Sequence, residues 1–481
     1  MEASGVLSVT SDSILQSYIL SIGLKSLFLR NSPEEAKKTP PLLYYFGSLI
    51  GVTQLSHICH LQVILIGDYR FCHTVVIFVT HMSNWPLFFS KGGLPMIRFV
   101  VAGAFFSLLL VLSPHGSAHA QDASWAERIK LSGDFRVRDE GFFNQKTGAG
   151  AKVPNRNRVR VRGRLGLAAT VNAYTSFNLR MATGNPQDPI STNETLDEFF
   201  QTPHINMDRA FIRLTYSHGT KTLSTDLGKI PNPAYSASQV VWDSDLNPTG
   251  ITEKFSVKGQ GALKQFDVQL MQYTIKEVKA GKDAGMVGGQ VKLSLAPTKS
   301  VGLTLGIGDY KYIQANQIAL STNAGIVGGV VNPGPRKAIS GKFVSNFNLV
   351  NITGELAIQT GSAAYPLTAF WDWVINTGAK VDATGKKENT GLYTGVKIGK
   401  ASKPGEVALT GTFVRTRQDA VLSTFSFSDI PADGRQGGMI EMSTPILPKT
   451  LLAFTGIFTK PINGAVKSTL VRTQLDLSVQ F

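Results

Sequence analysis

The sequence predicts an all-β fold: a transmembrane antiparallel β-barrel of about 16 strands, preceded by a signal peptide. Three observations predict it. Apolar and polar residues alternate over long stretches, and an apolar leader precedes this region. The connections between the stretches are alternately short and long. Composition agrees, because charged residues are only 17% of the chain and hydrophobic residues only 43%.

The leader runs from Met96 to Gln121 and has the three parts of a secretory signal peptide. Arg98 precedes the apolar run Phe99–Leu112, which is shorter than the ~20 residues that a membrane-spanning helix needs. Two small residues, Ala118 and Ala120, then form the cleavage motif. We therefore divide the chain into an extension (1–95), a signal peptide (96–120) and a barrel (121–481).

Residues 1–95 show no sustained strand or helix period, and we interpret them as a mis-annotated start or a disordered extension. The alternative is a genuine extension with a membrane anchor around Leu42–Gly67. Both cysteines, Cys59 and Cys72, lie in this part. Residues 121–481 therefore contain no disulfide, no cysteine-ligated metal and no thiol nucleophile.

The alternating stretches begin with Ile129–Arg138 and continue to the last residue. The clearest is Arg156–Asn172, in which an arginine stands at every second position from Arg156 to Arg164 and the residues between become apolar. A period of two places these two sets on opposite faces of a strand. In a lipid-embedded barrel one face meets acyl chains and the other meets water, so both are satisfied.

Tight connections alternate with long ones along the chain, as in outer-membrane barrels, where the tight turns are periplasmic. The tight ones are Asn172–Ala173, Ser217–Thr220 and Gly259–Gly261, and the long ones are Gly141–Pro154, Gly184–His204 and Lys229–Gly250. The alternating segments are odd in number, whereas a closed bacterial barrel needs an even number. Either Ala319–Asn332 contains an additional strand, which gives 18 strands, or one segment between Ile313 and Thr360 is a loop, which gives 16 strands. We choose 16.

The chain ends on an amphipathic segment whose last residue is Phe481. A terminal strand that closes on phenylalanine resembles the assembly signal of bacterial outer-membrane proteins. This resemblance makes the barrel assembly machinery and outer-membrane lipid predicted partners.

The inward face of the predicted barrel supplies the candidate functional residues. Barrels of 16–18 strands leave an aqueous channel, and arginines in it favour anions. The predicted pore-lining residues are Arg158, Arg160, Arg162, Arg164, Arg180 and Arg213. A soluble β-sandwich with an exposed basic face is the structural alternative. A nucleic-acid stripe is not indicated, because the arginines are not interleaved with aromatic residues.

The third long loop, Lys229–Gly250, contains Asp243 and Asp245. If it folds into the barrel, as the third external loop of general porins does, these carboxylates would face the arginines across a constriction. Capping a turn or meeting water is the alternative for both. Trp242 is predicted to pack within the loop or at the membrane interface.

Several stretches resemble the bacterial family described as putative porin. They are RNRVRVRGRLGLAATVN, LRMATGNPQDPISTNETLDEFF, MDRAFIRL, LGKIPNP and VVWDSDLNPTGI, all within Arg156–Ile251. The resemblance implies a channel in the bacterial outer membrane for small hydrophilic solutes, without naming the solute.

We therefore predict an outer-membrane porin for passive diffusion, with a mild anion preference, and no enzyme. The alternatives are a selective channel for phosphate or a carboxylate, or a plugged barrel that acts as an adhesin or enzyme. For an enzyme, His204, His218 and the cluster Glu194, Asp197 and Glu198 are the only candidates, and none has a plausible triad context. No cofactor is predicted. Trimers are common for this architecture, but no residue decides whether three chains associate.

Overall fold

The computed structural model describes residues 61–67, 74–80 and 126–481, except 148–149, 198, 201, 322–325, 328–329, 332–333, 382–384, 431 and 464–467. The predicted signal peptide 96–120, its cleavage residues Ala118 and Ala120, Glu198 and both cysteines lie outside the described residues. The chain divides into two units, Met1–Phe88 and Phe89–Phe481. In the first, Leu61–Gly67 and Thr74–Thr80 pair as an antiparallel hairpin.

The second unit contains a closed barrel built from sixteen long antiparallel strands within the described residues. Each strand pairs with its neighbours in sequence, and β16 pairs with β1 to close the barrel. The predicted number of 16 is confirmed. The strands are β1 (Ile129–Phe143), β2 (Arg156–Thr170), β3 (Thr175–Thr183), β4 (Ile205–His218), β5 (Lys221–Lys229), β6 (Thr249–Lys258), β7 (Leu263–Lys276), β8 (Ala284–Leu295), β9 (Val301–Ile313), β10 (Asn348–Ile358), β11 (Leu367–Asn376), β12 (Thr390–Gly399), β13 (Ala408–Thr416), β14 (Arg435–Leu447), β15 (Thr450–Pro461) and β16 (Leu470–Gln480).

The region in which the sequence left the number of strands uncertain contains one long loop, residues 314–347. Its short strands Ile326–Val327 and Val330–Val331 pair only with each other, and a five-residue helix, Ala315–Ala319, precedes them. Strand β10 starts at Asn348, so the segment between Ile313 and Thr360 that is a loop and not a strand is Gly341–Leu349, most of which precedes β10. The described part of the chain contains no helix with the length and apolarity of a membrane span.

The two ends of the barrel differ, as the spacing of the turns predicts. At one end, which we call the turn end, the connections are 171–174, 219–220, 259–262, 296–300, 359–366, 400–407 and 448–449. At the other, the loop end, they are 144–155, 184–204, 230–248, 277–283, 314–347, 377–389, 417–434 and 462–469. A two-residue strand, Glu194–Thr195, also pairs with β2.

Strand β1 shows how the period of two divides the side chains between the faces of the barrel. Leu131 and Phe135 are 65% and 45% exposed on the outer face. On the inner face Arg138 and Glu140 are 6% and 0% exposed. The lumen therefore contains the buried polar residues, and the outer face supplies the apolar surface that lipid requires.

The C-terminal residue takes part in closing the barrel. The Phe481 N–H donates to the Gly133 carbonyl oxygen at 3.0 Å, and the Gly133 N–H donates to the Phe481 carbonyl oxygen at 3.2 Å. The Phe481 ring lies so close to Gly133 that a Cβ at that position would overlap it. A Cβ there would also lie 2.6 Å from the backbone carbonyl oxygen of Arg164, which cannot move aside as a ring can, so glycine is required.

Candidate functional site: the lumen and its constriction

One side of the lumen is covered by a group of arginines from β1, β2 and β16, which we call the arginine wall. Strand register creates it, because Arg136 lies opposite Arg162 and Arg138 lies opposite Arg160 across the β1–β2 pair. Like charges directly opposite each other are destabilising unless counter-charges separate them. The arginine wall consists of Arg136, Arg138, Arg158, Arg160, Arg162, Arg164 and Arg472.

Glu140 supplies the central counter-charge of the arginine wall. It is fully buried and forms ion pairs with Arg158 and Arg472, and its Oε2 lies 3.8 Å from Arg160 Nη1. Its Oε1 also accepts from Arg472 Nε at 2.9 Å and from Gln474 Nε2 at 3.0 Å. A buried carboxylate with this many charged donors keeps the neighbouring guanidinium groups compensated.

Two further carboxylates hold the remaining wall arginines. Asp476 accepts from Arg138 Nε at 2.6 Å and from Arg138 Nη2 at 2.8 Å, a two-point contact typical of arginine and carboxylate. Asp134 accepts from Arg162 Nη2 at 2.8 Å and from Arg164 Nε at 2.7 Å. Both come from strands adjacent to their partners, so strand pairing alone brings the charges together.

The other two predicted pore-lining arginines also lie beside carboxylates. Arg213 Nε donates to Asp226 Oδ1 at 2.6 Å across the β4–β5 pair. Arg180 Nε donates to Asp208 at 3.0 Å. A register shift between β3 and β4 leaves Asp208 without a Cα partner on β3, while Arg209 lies opposite Arg180. Such a bulge re-aims a side chain, which here brings the Asp208 carboxylate to Arg180.

The arginines thus differ from the hydrated ladder that the sequence suggests. Arg158 and Arg160 are only 6% and 4% exposed. The sequence predicts only that this face meets water, whereas carboxylates of neighbouring strands compensate much of its charge. The reason is that the period of one strand does not show which residues of the next strand lie beside it.

Loop 230–248, the third long loop, extends along the inner wall and is attached at its tip. The N–H of Tyr235 donates to Gln290 Oε1 at 2.8 Å, and Gln290 Nε2 donates back to the Tyr235 carbonyl at 2.8 Å. The hydroxyls of Ser236 and Ser238 donate to Asp372 Oδ2 at 2.7 and 2.8 Å. Because Gln290 and Asp372 belong to β8 and β11, the loop reaches well beyond its own strands.

The two aspartates of this loop have different surroundings. Asp245 Oδ1 lies 3.1 Å from Arg164 Nη1, and its Oδ2 accepts from Thr192 Oγ1 at 2.9 Å. Asp243 instead accepts from the N–H groups of Asp245 and Ser428, each at 2.8 Å. Burial raises the pKa of Asp243 to about 8, and the nearby Asp245 carboxylate adds to the rise. Asp245 therefore lies beside the arginine wall, whereas Asp243 joins two loops.

The second loop of that contact, loop 417–434, also folds into the lumen. Ala420, Val421 and Leu422 are at most 1% exposed, and they belong to the same apolar cluster as Val240 and Trp242 of loop 230–248. The two loops also bond through their backbones, for example from the Asp243 N–H to the Phe425 carbonyl at 2.8 Å. Together they narrow the loop end of the barrel.

Aromatic residues fix this pair of loops to the wall. The Trp242 ring packs edge-on against Tyr310 of β9, with ring centroids 5.4 Å apart. Tyr312, on the same strand, stacks on Phe425 of loop 417–434 at 6.1 Å. The sequence predicted packing within the loop or at the membrane interface, whereas Trp242 packs in the lumen, against the wall and the second loop.

Loop 417–434 carries one carboxylate to the arginine wall. Asp429 Oδ1 lies 2.7 Å from Arg472 Nη2, and Arg472 Nη1 also donates to the Asp429 carbonyl at 2.8 Å. The other carboxylate oxygen lies 3.5 Å from Arg138 Nη1. Burial by itself would raise the pKa of Asp429, but Arg472 and Arg138 outweigh it and hold that pKa well below its usual range. This carboxylate is therefore ionised at neutral pH.

A cavity of about 280 Å³ lies at the loop end between loops 184–204 and 230–248. Asp188, Asp208, Lys229 and Asn247 line it. Burial raises the pKa of Asp188 to about 6, although the Ile190 N–H and the charge of Arg160 act in the opposite direction.

The candidate residues for catalysis do not form a site in the described part of the chain. His204 is 63% exposed and contacts Glu194 at 2.8 Å, while Asp197 pairs with Arg156 at the surface. His218 ends β4 at the tight turn. The described residues also contain no group of three or more histidine, cysteine or acidic side chains that could hold a metal ion.

Sequence reasoning missed several members of the site. Glu140 and Arg138 lie in the alternating segment of β1, and Arg472 lies in that of β16, so their inward position was visible in the pattern. Asp372 stands between two tryptophans in β11, an unusual place for an acid, and this was also a visible signal. For Asp429 the sequence offers no signal, since its loop has no period.

Comparisons with known proteins agree with this architecture. The family model described as putative porin matches residues 151–330, which supports the resemblance seen over Arg156–Ile251. No curated protein matches the sequence. Together with the closed barrel, the family match supports the prediction of a porin-type channel.

Several solved structures have a similar fold at low sequence identity. OprB of Pseudomonas putida is 10% identical, with 74% of this chain and 95% of that chain covered and a TM-score of 0.49. Salmonella typhi OmpF in complex with daunomycin is 11% identical, with 73% and 97% covered and a TM-score of 0.44. A triple mutant of the Rhodopseudomonas blastica porin is 10% identical, with 73% and 100% covered and a TM-score of 0.38. Because these TM-scores are below 0.5, the barrel assignment depends on the strand pairing itself.

Proposed function

We propose that this chain, which resembles the putative porin family and matches its model over residues 151–330, is an outer-membrane porin for small hydrophilic solutes. The observation that carries the proposal is the closed sixteen-strand barrel whose inner face is polar and charged while its outer face is apolar. Barrels of this size enclose an aqueous channel. The inward-folded loops 230–248 and 417–434 would then form its constriction.

We further propose that the channel prefers anions mildly, because arginines outnumber carboxylates on the arginine wall and the adjoining β3–β4 surface. Most of the charge is compensated, so a strong preference is not expected. The ten arginines are Arg136, Arg138, Arg158, Arg160, Arg162, Arg164, Arg180, Arg209, Arg213 and Arg472, and the eight carboxylates, with the Arg213 partner Asp226 of β5 included, are Asp134, Glu140, Asp188, Asp208, Asp226, Asp245, Asp429 and Asp476.

The turn end adds to this preference. Basic side chains dominate its turns and strand ends, where the acidic side chains are Glu127 and Glu406. Fixed positive charge around a pore mouth raises the local concentration of anions at low salt. The basic residues are Arg128, Lys130, Lys221, Lys258, Lys264, Lys299, Lys400, Lys403 and Lys449.

Planar-bilayer recording of the purified barrel tests both parts of the proposal. Stable single-channel conductance is expected, with a reversal potential in a KCl gradient on the anion-selective side. Clear cation selectivity would contradict the anion preference. If no channel opens, the barrel is plugged, which is the adhesin or enzyme alternative. The apolar cluster shared by loops 230–248 and 417–434 is the observation that favours that alternative.

A channel selective for phosphate or a carboxylate is the second candidate function. The observation in its favour is that the arginine wall already binds the carboxylates of Asp429 and Glu140. The same guanidinium groups have the geometry to bind a phosphate or a carboxylate of a solute. Addition of phosphate or a carboxylate during recording separates the candidates. Block of the ion current at micromolar concentration supports the selective channel, and block only at millimolar concentration supports general diffusion.

Export and assembly complete the proposal. We place the tight turns on the periplasmic side, the signal peptide at 96–120 and the assembly signal at Phe481, so the barrel assembly machinery would recognise the end of β16. N-terminal sequencing of the protein purified from outer membranes should begin at Gln121. A sequence that begins within residues 1–95 would show that this extension is retained. Chemical crosslinking in detergent tests for the homotrimer, which is a proposal from the architecture alone.

A further inference from the structure

We infer that Asp429 in loop 417–434 is a specificity-determining residue of the proposed channel, because it supplies a counter-charge that keeps the arginine wall only mildly cationic. The inference depends on the proposed channel function. The loop contributes this charge from the lumen side, in addition to the carboxylates built into the strands.

The contacts of Asp429 distinguish it from the carboxylates that the strands contribute to the arginine wall. Glu140 and Asp476 lie on strands that pair with each other, so the barrel cannot form without placing them beside Arg472 and Arg138. Asp429 reaches the same two arginines from a loop, with Arg472 Nη2 at 2.7 Å and Arg138 Nη1 at 3.5 Å. Its position therefore depends on how loop 417–434 is packed and not on strand register.

The packing of this loop is well defined on both sides of Asp429. Ile430 is 2% exposed, and the Ser428 N–H donates to Asp243 of loop 230–248 at 2.8 Å. The backbone carbonyl of Asp429 accepts from Arg472 Nη1 at 2.8 Å, so this contact persists when the side chain changes. A substitution that removes only the charge should leave the loop in place and leave one positive charge of the wall uncompensated.

The expected consequence is a change of ion selectivity with little change of fold. An uncompensated charge beside a narrow aqueous path raises the anion concentration there, and the effect is screened within ~3 Å at 1 M salt but within ~10 Å at 0.1 M. For Asp429→Asn we expect the chloride-to-potassium permeability ratio at 0.1 M salt to rise about twofold or more. At 1 M salt most of this rise should disappear.

The matched control is Asp197→Asn. It removes the same charge from an arginine–aspartate pair at the loop end, but Arg156 and Asp197 are 47% and 48% exposed. Solvent already screens that pair, so the permeability ratio should stay at the wild-type value. Asp429→Glu, which keeps the charge, should also retain the wild-type ratio.

Selectivity in planar bilayers decides the inference. A larger ratio for Asp429→Asn alone supports it, and an unchanged ratio, or an equal change in Asp197→Asn, overturns it. If Asp429→Asn fails to give a heat-resistant barrel on electrophoresis, Arg472→Gln provides the converse test. That variant removes a positive charge from the same contact and must lower the ratio, so an unchanged value would also overturn the inference. Absence of conductance in the wild-type barrel would instead contradict the proposed function.

Discussion

Asp372 is predicted to hold the tip of loop 230–248, and its replacement should loosen the constriction without opening the barrel. Its Oδ2 accepts from Ser236 Oγ, Ser238 Oγ and the Ser238 N–H at 2.7, 2.8 and 3.2 Å. Its Oδ1 accepts from Asn351 Nδ2 at 2.7 Å. All these donors converge on a side chain that is 0% exposed, so water cannot easily replace the carboxylate.

The cost of Asp372→Asn follows from the number of lost contacts. An asparagine has one acceptor oxygen, which cannot serve both Asn351 and the serine group, and its amide meets the Ser238 N–H donor to donor. Losing about two hydrogen bonds to a charged acceptor costs roughly 3–6 kcal/mol. The other tip contacts, two at Gln290 and one at Thr353, contribute about 1 kcal/mol each. The loss therefore equals or exceeds what still holds the tip.

Single-channel recording measures the result. We expect Asp372→Asn to increase open-channel current noise and change the mean conductance, because the tip then exchanges between attached and detached positions. Val240 and Trp242 remain packed, so the barrel should stay heat-resistant on electrophoresis. Thr353→Val is a graded control with a smaller expected effect, since of the contacts of the loop it removes only the bond from the Ala237 N–H. Its other lost bond, from the Thr353 hydroxyl to the Trp371 carbonyl at 3.4 Å, lies within the wall. Identical current traces for Asp372→Asn and wild type would refute this account of the loop anchor.

Three further predictions concern charge. Glu140→Gln should destabilise the barrel by about 3–5 kcal/mol, because it removes the buried carboxylate that Arg158 and Arg472 share. An unchanged melting temperature in detergent would contradict this. The raised pKa of Asp188, about 6, means that the folded state binds a proton more tightly than the unfolded state, so its ionisation opposes folding above pH 6 and this penalty is lost as the pH falls from 6 towards the unfolded pKa of 3.8. Asp188→Asn should therefore raise the melting temperature at pH 8 and have little effect at pH 4, and equal effects at both values would exclude the link. Replacing Lys258, Lys264 and Lys299 by glutamine should lower the anion preference at 0.1 M salt but not at 1 M, where charges are screened within ~3 Å. The reversal potential in a salt gradient measures the anion preference. A shift of the reversal potential that persists at 1 M salt would contradict an electrostatic cause.

Strands were predictable from the sequence because a barrel strand contacts lipid on one side and the lumen on the other. This two-sided environment acts on each residue separately, so apolar residues such as Leu131 and Phe135 recur with a period of two along the strand. The number of strands was harder to predict where loop residues imitate the alternation. Phe343 and Phe347 alternate with polar residues, yet they pack on each other within loop 314–347.

The site was predictable only in part, because compensation of charge is a property of neighbouring strands. The five arginines from Arg156 to Arg164 identify an inward face, but Asp134 and Glu140 become their partners only through the register of β1 and β2. The contacts of Asp429 are less visible still. Arg138 is 291 residues away in the sequence, and the loop segment that contains Asp429 has no strand period.

The contact between Asp243 and Ser428 joins segments that are 185 residues apart in sequence. Loop 230–248 follows β5 and loop 417–434 follows β13, so we expect these segments to meet only after the sheet has curved into a barrel. A barrel that lacks this contact would have a wider passage at its loop end. We therefore expect substitutions that prevent the contact to admit larger solutes.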